Sequence, residues 1–288
     1  MALQTKAIKQ KIKSVGNIKK ITRTMEMVSV SKMKRATSSA ISLSPFAREA
    51  DDLLNHLPNL KGVEHKYFDT PKEAKKELLI IISSNKGLCG SYNTNIYRSL
   101  SKYIKQKDGV TFEAIAIGKQ SEKIAKRLNI KIISSFIHFT EKSIYEDTEV
   151  IPQIFLKEFE SGDYLSVSIF YTKFLKAMTF ETAIKKILPL EDKREGEIQK
   201  NSSLYAVEPS VNEVFDFIIK RFLHTTLHSS LSESLASEHS ARMLAMKTAT
   251  DNASDMLKDL KIYYNRARQD AVTQEISEIA AGASAITG

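Results

Sequence analysis

Residues 210–281 read SVNEVFDFIIKRFLHTTLHSSLSESLASEHSARMLAMKTATDNASDMLKDLKIYYNRARQDAVTQEISEIAA, 72 consecutive positions without a glycine or a proline. Those two residues are the strongest local breakers of regular structure. Ordinary helices average about 11–12 residues, so a breaker-free run of this length predicts a coiled coil or a helical array. Ser210 with Glu213 three positions on forms a capping box that satisfies two orphan backbone donors. Gly282 follows the last periodic residues and predicts the C-terminal stop. One continuous helix over this run would extend about 108 Å at 1.5 Å per residue. No single-domain core covers that length, so the helix must project or pair.

The apolar positions favour pairing. Phe215, Ile218, Phe222, Leu223, Leu227, Leu231 and Leu235 are followed by Met243, Met246, Ala249, Ala253, Met256, Leu260, Tyr263 and Ala267. Steps of three and four dominate, with the seven-residue drift that suits a supercoil. At the other end of the chain Ile8, Ile12, Val15, Ile18, Ile21, Met25 and Val28 repeat the pattern. That helix is expected to run to about Leu57, with a kink near Pro45. Two helices packed on separate globular cores is the alternative, and the length of the last segment argues against it. An antiparallel pair is the simplest arrangement, with the C-terminal helix longer and one end unpaired.

Residues 45–209 hold all six prolines and seven of the ten glycines. Glu77–Ser83 is a continuous apolar strand, Thr111–Ile117 a second and Ile130–Phe136 a third. Tyr164–Thr172 is a fourth and 180–188 a fifth. Helical runs fall at 91–106, 119–128 and 147–160. Strands alternating with helices indicate an α/β layer with a largely parallel sheet. The expected divisions are 1–57 (helix), 75–190 (α/β domain), 191–208 (charged connector) and 209–288 (helix).

The formal net charge of +9 resides in residues 1–44, which hold ten Lys and Arg against the single acid Glu26. The remaining residues balance. A basic helix of this kind suits nucleic acid, a membrane surface or an acidic protein surface. Residues 1–44 contain no Phe, Tyr or Trp and match no zinc-finger or leucine-zipper layout, which weighs against nucleic acid. No run approaches 18 uncharged apolar residues, so no membrane span is expected. There is no apolar signal region, and a cytoplasmic protein is expected.

Catalytic signals are sparse. The turn Ser83-Ser-Asn-Lys-Gly-Leu-Cys-Gly-Ser-Tyr92 has two glycines and Lys86 before a helix. It lacks both the Walker ending and the three-glycine dinucleotide spacing, so it reads as a tight turn. Cys89, the single cysteine, has no local His or acid and reads as a small buried residue. It also precludes an intramolecular disulfide. His224 and His228 share a helix face without the intervening Glu of a metalloprotease. No metal, cofactor or catalytic dyad is expected. A nucleotide-binding α/β enzyme and a nucleic-acid-binding coiled coil are the competing functional readings. The tail from Ile279 to Gly288 is small and uncharged, which fits either fraying or a tight apolar sleeve.

Three stretches carry a family resemblance. They are Ile18-Lys-Lys-Ile-Thr-Arg-Thr-Met-Glu-Met-Val-Ser-Val-Ser-Lys-Met-Lys34, Ser237-Glu-His-Ser-Ala-Arg-Met-Leu-Ala-Met-Lys-Thr-Ala-Thr-Asp-Asn252, and Tyr264–Ile279. Together with the turn Ser83–Asn93 they resemble the gamma subunit of rotary F-type ATP synthases, in order and over the whole chain. The fold so implied is mixed α/β: a long antiparallel coiled coil of N- and C-terminal helices plus a central Rossmann-like α/β domain. The resemblance implies a non-catalytic, bacterial-type rotor subunit of the central stalk at the cytoplasmic face of the inner membrane. Its implied partners are the alpha and beta subunits of the catalytic ring, the epsilon subunit and the c-subunit ring, with no nucleic acid. It places beta-subunit and torque contacts at Lys20, Arg23, Met25, Glu26, Arg242, Gln269 and Thr273. An upper bearing is implied at Ile276, Ile279, Ala283 and Ile286, and a foot contact at Tyr205 and Glu208.

Overall fold

The computed structural model describes residues 2–56, 66–68, 74–137, 144–190 and 211–287. The connector 191–208, with Tyr205 and Glu208, and the expected N-cap Ser210 lie outside the described residues. The elements in chain order are α1 (Ala2–His56), β1 (Lys76–Ile82), α2 (Tyr92–Lys105), β2 (Thr111–Ile117), α3 (Lys119–Arg127), β3 (Lys131–Phe136), α4 (Ile144–Glu160), β4 (Tyr164–Lys176), β5 (Thr179–Leu188) and α5 (Val211–Thr287). Each strand and helix expected from the sequence is present. The helical assignment of α1 runs on through Pro45.

Gly282 does not stop α5, which continues to Thr287. Glycine in a helix interior costs about 1 kcal/mol relative to alanine, and that does not end a helix whose next residues favour it. Here Ala283 and Ala285 follow.

Contacts divide the chain into two compact units, Val30–Ala241 and Met1–Ser29 with Arg242–Gly288. The first is a sheet domain. Its strand order is β3-β2-β1-β4-β5, parallel except for β5, which pairs antiparallel with β4. Leu78, Ile80, Ile82, Val167 and Ile169 face one side, where α4 supplies Ile151, Phe155 and Phe159. On that side α5 adds Phe215, Ile219, Phe222, Leu223, Leu227 and Leu231. Leu79, Ile81, Ala114 and Phe170 face the other side, against Tyr92, Ile96 and Leu100 of α2 and Ile124 of α3. Both faces are covered, which is why β1 reads as an unbroken apolar run.

This packing corrects one expectation. From Phe222 to Ala241 helix α5 is buried on nearly every side within the sheet domain, and Phe215 and Ile219 ahead of it are buried while Phe217 is exposed. Its apolar positions there form a domain core, not one half of a two-helix seam.

Two buried glutamates on neighbouring strands are each fully provisioned. Glu77 accepts hydrogen bonds from Tyr103 (2.7 Å), Ser168 (3.0 Å) and Lys107 (2.5 Å). Glu113 accepts from Tyr164 (2.6 Å) and Lys131 (3.2 Å). Burial alone would push the Glu113 carboxyl up, but the bonds from Tyr164 and Lys131 outweigh it and hold the carboxyl below its ordinary value.

The second unit is the helix pair. Half-buried or buried positions on α1 run Thr5, Ile8, Ile12, Val15, Lys19, Thr22, Glu26 and Ser29. On α5 they run Met246, Thr250, Ala253, Leu257, Leu260, Tyr264, Ala267 and Ala271. Both follow the alternating three-and-four spacing of a coiled-coil seam. Thr22 meets Thr250 by a hydrogen bond, and the unit's limits, Ser29 and Arg242, lie outward from that pair in opposite chain directions. The helices are therefore antiparallel.

Candidate functional site

The carboxyl edge of a doubly wound sheet is where such folds ordinarily hold ligands. Here it is filled by the chain itself. Between β1 and β2, the Ser83 N–H donates to the Ile117 carbonyl and the Gln120 N–H to the Ser84 carbonyl. Gly118 sits in this closure at φ +94, and a Cβ there would collide with the Ser83 carbonyl oxygen. In the β1–α2 turn, Leu88 and Gly90 adopt positive φ, and Cys89 is buried beside Ser84 and Asn93. Tyr92 closes the turn by donating its hydroxyl to the Ser234 carbonyl of α5 at 3.2 Å. Lys86 is exposed. Among the described residues, no group of three or more His, Cys, Asp or Glu is placed to hold a metal ion.

His224 and His228 do share one helix face, with ring centroids 6.3 Å apart. His224 Nε2 lies 3.2 Å from Thr148 Oγ1 on α4. Burial, reinforced by the neighbouring His224, pushes His228 down to about 4.

The exposed chemistry lies on the helix pair. Lys6, Lys9, Lys11, Lys13, Lys20 and Arg23 all face solvent on α1. Arg23 binds Glu26 one turn on, at 3.0 and 3.1 Å to the two carboxylate oxygens. Met25 and Glu26 are half-buried. Ile18 and Ile21 are not seam residues: they are 49% and 59% exposed, and Val28 is also exposed. The apolar stripe and the seam coincide through Val15, then part, because steps of three and steps of four are equally available after that point. The seam takes Lys19, Thr22, Glu26 and Ser29, and the apolar side chains face outward between basic ones.

On α5 the same slip moves the seam from Met256 and Tyr263, both exposed, to Leu257 and Tyr264. Gln269 and Thr273 are exposed, whereas Arg242 is buried, with 7% exposed. From Val272 to Ala283 every side chain of α5 is exposed, including Ile276 and Ile279. That exposed stretch extends about 18 Å at the helical rise. The side chain of Ile286 lies outside the described residues.

Relatives share this layout along its whole length. A family model described as ATP synthase matches residues 4–286. The ATP synthase gamma chain of Ralstonia nicotianae is 35% identical over 288 residues, covering 98% of this chain and 99% of that one. This chain belongs to the ATP synthase gamma chain family. The gamma chain of Alkaliphilus metalliredigens is 32% identical, covering 99% of this chain and 100% of its own. The gamma-chain fold also recurs at low identity in solved structures. A chain of the Euglena gracilis mitochondrial ATP synthase, solved as OSCP/F1/c-ring in rotational state 3, superposes with a TM-score of 0.68 at 17% identity. That match covers 99% of this chain and 95% of the other. A central stalk/c-ring chain from Tetrahymena thermophila superposes with a TM-score of 0.59 at 21% identity, covering 80% and 99%.

Sequence reasoning missed the polar seam of this gamma chain, Thr22, Ser29 and Thr250, because threonine and serine do not signal burial. It also missed the serines of α5. Their signal was present as Ser234, Ser237 and Ser240 at three-residue spacing.

Proposed function

We propose that this chain is the central-stalk rotor subunit of a proton-translocating, bacterial F-type ATP synthase. It couples rotation of the membrane c-ring to conformational change in the catalytic beta subunits. The nucleotide chemistry belongs to beta, and the chain itself is not an enzyme. It works at the cytoplasmic face of the inner membrane beside the epsilon subunit, and no helix among the described residues is long and apolar enough to cross a membrane.

One observation carries this reading: the helix pair keeps polar residues in its seam and turns an apolar stripe outward between basic side chains. Ile18, Ile21 and Val28 keep about half of their surface exposed, which leaves that surface available to a surrounding protein. Lys20 and Arg23 supply the charge that orients an acidic partner surface. Met25, with Glu26 held by Arg23, completes the beta-facing patch. On α5 the proposed contacts are Arg242, Gln269 and Thr273. The all-exposed end, with Ile276, Ile279, Ala283 and Ile286, serves as the upper bearing, where uncharged side chains avoid directional traps to rotation. Tyr205 and Glu208 are the proposed foot contact. Differential contact of one asymmetric shaft with three partner conformations is what shifts their equilibrium.

The test is reconstitution with the alpha and beta subunits of the same organism. The chain alone should show no ATP hydrolysis, and the purified ring should bind one copy. Hydrolysis by the isolated chain, or no binding to the ring, would overturn the reading.

A further inference from the structure

Strand β4 outruns β1. Their ladder ends at the pair Ile81–Phe170, while β4 continues to Lys176. On its other side β4 stays paired with β5, through Thr172–Thr182 and Phe174–Phe180. The β1-facing edge beyond Phe170 therefore has backbone groups and no strand among the described residues to bond them. Buried backbone donors and acceptors need partners.

Helix α5 supplies them from one face. The Thr172 N–H donates to Ser234 Oγ at 3.0 Å, and Ser237 Oγ donates to the Thr172 carbonyl at 3.2 Å. The Met178 N–H, in the β4–β5 turn, donates to Ser240 Oγ at 2.9 Å. The Phe174 backbone bonds the Glu233 carboxylate. Ser234, Ser237 and Ser240 are buried, and Tyr92 of α2 fastens the Ser234 carbonyl from the other side. The helix thus occupies the place of a missing strand.

Apolar packing and this arrangement resist different motions. Close-packed apolar side chains oppose separation of a helix from its seat, but they fix its rotation about its own axis only through shape. Hydrogen bonds are directional and weaken steeply when misaligned. Three of them on successive turns fix both the azimuth and the axial position of α5 against the sheet.

We propose that Ser234, Ser237 and Ser240 form the rotational lock through which torque passes between the sheet domain and helix α5. The proposal rests on the rotor reading above. It assigns to these serines a positioning role and no contact with ring, nucleotide or membrane.

The test uses the assembled ATP synthase carrying S234A/S237A/S240A. Amide exchange at Thr172 and Met178 should speed up at least about tenfold, since those amides lose their acceptors. Protons pumped per ATP hydrolysed should fall to about half or less, as the helix slips against its seat. ATP hydrolysis by the complex should persist, and threonine at the three positions, which keeps the hydroxyls, should restore pumping. Unchanged pumping per ATP in a complex whose Thr172 and Met178 amides have lost protection would overturn the proposal. If the triple variant does not assemble, S234A/S240A removes both amide acceptors, and the same two readouts decide. A wild-type complex that hydrolyses ATP and pumps no protons would instead overturn the rotor reading, which separates the two failures.

Discussion

Thr250 donates a hydrogen bond to Thr22 at 2.8 Å, joining α5 to α1 across 228 residues of sequence in the buried seam of the helix pair. Thr22 sends its own proton to the Lys19 carbonyl at 3.1 Å. Thr250 also lies 2.8 Å from the Met246 carbonyl, so its one proton is shared between two acceptors. A polar layer in a helix seam specifies register at some cost in stability.

The effects of replacing the two partners should therefore not add. Thr250→Val alone is expected to lose about 1 kcal/mol, because the buried Thr22 oxygen loses its donor and keeps only its own bond to the Lys19 carbonyl. The double variant with Thr22→Val should lose less than the sum of the two singles. Urea titration of the four proteins in the cycle measures the coupling.

Glu77 and Lys107 give a second asymmetric case. Glu77 is 1% exposed and held by Lys107, which retains contact with water. Burial by itself lowers the Lys107 value, but its hydrogen bonds to Glu77 and Tyr103 raise it overall. Lys107→Met leaves a buried carboxylate with only neutral donors. It should destabilise the protein by about 2 kcal/mol, below the 3–5 expected for a fully dry pair. Thermal melts of the variant beside the parent chain measure the loss.

Acid should loosen the sheet domain through His228 and Glu113. His228 titrates near 4 in the fold against 6.5 unfolded, so the unfolded chain binds more protons between those values. Its contribution is complete above about 6.5 and is lost as the pH falls toward 4. Glu113 is also depressed, so its share vanishes in the same direction, as the pH falls through the carboxylate range. The Tm should drop between pH 7 and pH 4.5, and His228→Gln should flatten the upper part of that slope.

Gly118→Ala should be severe. The position needs positive φ, and its Cβ would meet backbone that cannot swing away. A loss of about 3 kcal/mol or more is expected in denaturant melts, with reduced soluble yield.

The outward stripe predicts the opposite profile. Ile21→Ser should change the melting of the isolated chain by less than about 0.5 kcal/mol, as for other surface positions. Its binding to the alpha–beta ring should weaken by roughly tenfold, the value of the apolar area lost. Equal loss in both measurements would return Ile21 to the seam. Truncation after Glu278 should likewise leave the melt unchanged, since Ile279 is 71% exposed.

Where the elements lie was legible because it follows from local terms. The absence of breakers over 210–281 dictates a long helix, and Glu77–Ile82 dictates a strand buried on both faces. The charge of residues 1–44 could be placed on one helix for the same reason. Which stripe of each helix becomes the seam is another matter. Ile18 and Lys19, or Met256 and Leu257, are adjacent positions about 100° apart on a helix, and both satisfy steps of three and four. The choice belongs to the partner helix: Thr22 is buried because Thr250 stands opposite it. The fate of Phe222–Ala241 was likewise beyond a one-dimensional pattern, since a helix buried on nearly every side and one half-buried in a pair share the same apolar spacing. Ser234, Ser237 and Ser240 acquire their meaning only where β4 outlasts β1 and leaves backbone groups that need partners. Local chemistry thus settles which elements form, and the long-range requirement that buried polar groups be satisfied settles which faces meet.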